Sequence, residues 1–131
     1  MIYYHGYGSY VGKYGYIGHD FAERGYDFVG FDHRGFGNTE GDRGFVSSFE
    51  QHMEDSRRFA EVVQAEYSGL PCLALGYSMG GATTLCLELE GHIKFDGMIL
   101  TCPLVEQPLF MTPSRTLRSI AQVWPRKVVI D

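Results

Sequence analysis

Short apolar runs alternate along this chain with longer segments patterned for helices, and that alternation restricts the folds open to it more than any other feature. The runs are Met1–Tyr4, Asp27–Phe31, Leu70–Gly76 and Gly97–Cys102, each apolar or β-branched and punctuated by Gly or Pro. Strands spaced by helical patterns in this way form βαβ units, so the sequence predicts an α/β fold with a mostly parallel sheet of about four strands flanked by helices. Its connections should be right-handed crossovers. At 131 residues, 44% hydrophobic and 15% aromatic, the chain has enough apolar material for one core.

Ser48 followed by Gln51 has the pattern of a capping box, which predicts a helix from Phe49 to Tyr67 with Phe59, Val62, Val63 and Tyr67 on its buried side. A second helix is expected from Met79 to Glu90, carrying Leu85, Leu87 and Leu89, with Gly91 placed to end it. Gly12, Gly15 and Gly18 weaken the segment from Gly12 to Arg24, though Phe21-Ala22-Glu23-Arg24 before Gly25 reads as a closing helical turn. From Glu106 the rhythm fades into Pro108, Pro113 and Pro125 around one helix, Ser114 to Val123, so residues 1–105 read as a core and 106–131 as the start of a cap or lid.

Several functional classes are disfavoured. A net charge of -5 with no basic stripe does not suit a nucleic-acid binder, which needs clustered Lys and Arg against phosphates. Gly6-Tyr7-Gly8 and Gly35-Phe36-Gly37 lack the third glycine of a dinucleotide motif, and Gly12-Lys13 lacks the earlier glycine of a P-loop. Cys72, Cys86 and Cys102 show no C-x-x-C spacing, so neither a metal site nor a disulfide framework is expected; they read as buried thiols of a reducing, cytoplasmic setting. Neither a signal peptide nor a membrane span is predicted. The chain opens on one apolar run and stops in another, Val128-Val129-Ile130-Asp131, and so reads as cut at both ends.

Gly76-Tyr77-Ser78-Met79-Gly80 matches G-x-S-x-G, with a strand entering it and a helix leaving it. In such an elbow the serine sits in a strained turn, and small neighbours leave its hydroxyl exposed as a nucleophile. The plainer alternative makes Ser78 the N-cap of the helix. A serine nucleophile needs donors for the oxyanion it creates. His5-Gly6-Tyr7-Gly8, directly after the first strand, resembles the H-G-G-G-type loop that supplies one of them, so the main-chain amides of Tyr7 and Met79 are the candidate pair. His5 itself reads as a structural, hydrogen-bonded histidine.

Taken together, His5-Gly6-Tyr7-Gly8, Phe31-Asp32-His33-Arg34-Gly35-Phe36-Gly37 with Thr39-Glu40-Gly41, and Gly76-Tyr77-Ser78-Met79-Gly80-Gly81 resemble the monoacylglycerol lipase and serine aminopeptidase S33 branch of the α/β hydrolases, over roughly Ile2 to Val105. The resemblance implies a cofactor-free serine hydrolase of carboxylic esters, such as a monoacylglycerol, with a cap following a segment like Pro103-Leu104-Val105. It further implies peripheral membrane contact through that cap. Tyr7, Tyr10, Tyr14 and Tyr16, with Leu109 and Phe110, would suit an acyl chain or simply be core.

The family's order of Ser, then acid, then His is not completed here. His92 is the sole histidine after Ser78 and reads as part of a far-side loop; Asp131 falls within the expected cap. His5 and His33 precede the serine, and Asp32 is expected to form a salt bridge to Arg34 or a local cap. The second hypothesis is therefore a catalytically incomplete hydrolase fragment, whose open edges would favour self-association.

Overall fold

A computed structural model describes residues 1–105. Its sheet has four parallel strands, β1 (Ile2–Tyr4), β2 (Val29–Gly30), β3 (Leu73–Tyr77) and β4 (Gly97–Thr101), in the order β2-β1-β3-β4. Between them run a 3-10 turn (Val11–Tyr14) and helices α1 (Gly15–Ala22), α2 (Phe49–Glu66) and α3 (Met79–Leu89). The register places Ile2 beside both Val29 and Ala74, and Tyr77 beside Thr101. The α/β architecture expected from the alternating runs is the one observed.

β1 is buried on both faces, which is why its three residues are apolar or aromatic throughout. Ile2 and Tyr4 join Met53 and Ala60 of α2 and Leu87 of α3 in the main core, with Ala74, Ile93 and Phe95. Tyr3 points the other way, its ring 5.1 Å from Tyr14 and 5.4 Å from Phe28. Phe28 in turn stacks on Phe21 of α1. Helices thus cover both faces, α2 and α3 on one and α1 on the other.

The helix ends follow local chemistry. Ser48 accepts a hydrogen bond from the Gln51 amide at 3.1 Å, but the Gln51 side chain donates to Asp55 instead of returning to Ser48, so only half of the capping box forms. Gly91 leaves α3 at φ +71°, and the amides of His92 and Ile93 fold back onto the Leu87 carbonyl.

Some expectations require correction. The second strand contracts to Val29–Gly30. Val62 is 66% exposed; His52, Met53, Ser56 and Ala60 are the residues α2 buries most deeply, with Phe59 and Val63 packed beside them. Cys72 and Cys86 are half-buried and Cys102 is exposed, so the three free thiols are not a buried set. The expected helix at Ser114–Val123, the cap from 106, and with them Leu109, Phe110 and Asp131, lie outside the described residues.

Candidate active site

The strand order reverses between β1 and β3. Their C-terminal ends therefore release loops in opposite directions and open the crevice where α/β sheets hold ligands. Ser78 stands on one side of it, immediately after β3 and immediately before α3. The loop His5–Gly8 stands on the other, immediately after β1.

Ser78 has φ 53° and ψ -115°, and its side chain makes no capping hydrogen bond to α3. Positive φ is costly for a residue with a Cβ, so the chain must be held there by its surroundings. It is: the Ser78 amide donates to the Thr101 carbonyl at 3.0 Å, and the Ser78 carbonyl accepts from Leu104 at 3.0 Å. The N-cap alternative is not what the backbone adopts. Three glycines make the bend sterically feasible. A Cβ on Gly80 would lie 2.0 Å from the Tyr4 carbonyl oxygen, one on Gly76 would lie 2.6 Å from the Gly81 Cα, and one on Gly6 would lie 3.2 Å from the Ser78 Cβ. The last contact shows how closely the loop after β1 approaches the serine.

His5 is fully buried. Its Nε2 accepts from the His33 amide at 3.0 Å and its Nδ1 faces the Gly6 carbonyl at 2.8 Å, so both ring nitrogens are engaged. His33 lies 4.1 Å away, ring to ring, and His52 meets His33 edge-on at 4.7 Å. Burial pushes all three imidazoles below their usual range, His33 to about 2 with its histidine neighbours adding to the effect. They are structural, neutral rings.

Asp32 sits at the head of the loop after β2. Its carboxylate accepts from the amides of Val11 at 2.7 Å and Asn38 at 2.8 Å, while its carbonyl accepts from the Thr39 hydroxyl at 2.5 Å. The local cap is formed; the salt bridge to Arg34 is not. Arg34 instead makes a two-pronged contact with Asp55 of α2, at 2.8 and 2.9 Å, which holds the Asp55 carboxyl below its ordinary range. Asp96, near the start of β4, accepts from the Cys72 amide at the entry to β3. His92 belongs to the same end of the sheet, exposed beside Glu90 and opposite to Ser78. All five histidines fall within the described residues, and none hydrogen-bonds to Ser78.

A family model described as serine aminopeptidase, S33, matches residues 1–129. The chain belongs to this family. Within the S33 family it is similar to the monoglyceride lipase of Mus musculus, 37% identical over 103 residues that make up 77% of this chain and 33% of that protein. Among solved structures, the monoacylglycerol lipase of Paleococcus ferrophilus superposes with a TM-score of 0.74 at 26% identity, over 97% of this chain and 46% of that one. A soluble variant of Saccharomyces cerevisiae monoglyceride lipase, solved with a substrate analog, superposes with a TM-score of 0.77 at 24% identity, over 99% and 46%. This S33 chain therefore spans a third of the mouse relative and just under half of each solved structure. The α/β-hydrolase fold read from the motifs is confirmed. Sequence reasoning missed His52 as a partner of His5 and His33. The only available signal was a polar residue on the buried stripe of α2.

Proposed function

We propose that this chain carries the nucleophile and oxyanion donors of a monoacylglycerol lipase-like serine hydrolase. In this reading the Ser78 Oγ attacks the carbonyl carbon of an acyl ester, and the negative charge moves onto the carbonyl oxygen, where the amides of Tyr7 and Met79 receive it. Collapse of that intermediate expels the alcohol, whose oxygen takes the proton given up by Ser78, and water then attacks the acyl-serine, its hydroxyl leaving with the acid and its proton returning to the Ser78 oxygen. The single observation that carries the reading is the backbone of Ser78, a non-glycine residue at positive φ joining a central parallel strand to a helix. The names of the similar proteins support a monoacylglycerol as the ester. Tyr7, packed on Phe36, and Tyr14, beside Tyr77, are aromatic residues near the ends of β1 and β3 that suit an apolar acyl chain. A cytoplasmic setting, with peripheral membrane contact through a cap beginning at 106, belongs to the same proposal. Among the described residues no helix is long and apolar enough to cross a membrane.

Labelling by a fluorophosphonate probe and turnover of a p-nitrophenyl ester are the expected outcomes, both abolished in Ser78→Ala. Folded protein that does neither overturns the reading. It would favour the catalytically incomplete alternative, which the absence of any histidine bonded to Ser78 supports.

A further inference from the structure

The three buried imidazoles form a continuous chain of ring contacts from the loop after β1, through the loop after β2, to α2, and the hydrogen bonds assign each ring one tautomer. The His33 amide can only donate, so the His5 Nε2 is the unprotonated nitrogen and its Nδ1–H donates to the Gly6 carbonyl at 2.8 Å. That carbonyl and the Tyr7 amide belong to one planar trans peptide and point in opposite directions, so holding the first sets the direction of the second. At the other end, the Thr83 hydroxyl gives its proton to the Met79 carbonyl at 2.9 Å, and its oxygen faces the His52 Nε2 at 2.8 Å. His52 must then donate from Nε2. Met79 opens α3, so its carbonyl anchors the first turn of the helix, the turn that begins with the Met79 amide. Between them, the His33 Nε2–H donates to the His5 carbonyl at 3.3 Å, which leaves the His33 Nδ1 buried without a partner. A proton there would be an unpaired buried donor, so the middle ring is confined to one state.

We propose that His5, His33 and His52 act as one positioning array that aims both oxyanion donors, the amides of Tyr7 and Met79, with His52 of α2 as its link to Thr83 of α3. The array rests on the assignment of those amides as donors under Proposed function. It adds residues that touch no substrate and come from three separate segments of the chain.

Nitrogen-15 imidazole spectra of the intact chain test it directly. His5 should carry its proton on Nδ1, and His33 and His52 on Nε2. With a short p-nitrophenyl ester, His52→Leu should lower kcat by at least about tenfold with KM within about twofold, a fraction of the loss from deleting a donor outright. It should also move the Tyr7 and Met79 amide resonances. His52→Gln, whose side-chain N–H reaches Thr83 as the Nε2–H does, should recover kcat to within about threefold of wild type. Should His52→Leu fail to fold, the wild-type tautomers decide: a proton on the His52 Nδ1 overturns the array. A His52→Leu protein with unchanged kcat and unchanged amide resonances overturns it as well. Wild-type protein that shows the stated tautomers but neither turns over ester nor labels at Ser78 sinks the hydrolase reading and the positioning role with it. Normal labelling with the wrong tautomers sinks the array alone.

Discussion

Gly80 shows how little freedom the elbow leaves. Any side chain there would enter the space of the Tyr4 carbonyl, the last of β1, with a Cβ only 2.0 Å from its oxygen. Backbone cannot retreat as a flexible side chain can, and β1 is locked between β2 and β3. Gly80→Ala should therefore cost on the order of 3 kcal/mol or more, a severe overpacking effect. A urea denaturation series checks it; a midpoint near wild type would mean that α3 can shift away from β1 without loss.

Among the elements, the loop after β2 owes its shape to one carboxylate. Asp32→Ala would strand the Val11 and Asn38 amides, each now bonded to it, and should cost about 2–3 kcal/mol. Arg34→Ala removes an exposed ion pair and should leave the denaturation midpoint close to wild type. Equal losses from the two variants would contradict the capping role. The sequence alone disclosed the strands because β1, β3 and β4 are continuous apolar runs, and it disclosed the elbow because G-x-S-x-G fell between a strand and a helix. It overextended β2. The register pairs only Val29 and Gly30 with β1, opposite Ile2 and Tyr3, while the Asp27 carbonyl accepts from the Met1 amino group without lengthening the strand. It also assigned Val62 to the core, since hydrophobicity could not reveal that α2 is rotated to bury His52 and Ser56. The histidine cluster was illegible for a different reason. Residues 5, 33 and 52 meet only through tertiary packing, and no local period connects them.

Across the whole molecule, three buried neutral histidines make folding sensitive to acid. Their folded pKa values are lowered, so between the folded value and the ordinary one near 6.5 the unfolded chain binds more protons. Stability is then complete above that ordinary value and is lost as pH falls through it. The slope is up to about 1.4 kcal/mol per pH unit for each such ring. Urea midpoints should drop from pH 7 to pH 5, and His33→Gln, which keeps a donor toward the His5 carbonyl, should flatten the drop. An identical pH dependence in that variant would rule out the His33 imidazole as a source.

The two ends of the sheet also divide in use. Ser78 and the loop after β1 share one edge, whereas the turn after α3, with exposed His92, occupies the other, about 17 Å away along the five residues of β3. That turn is a natural handle: a fluorophore or a surface tether fixed there would report on or immobilise the protein from the sheet edge opposite to the one that carries Ser78.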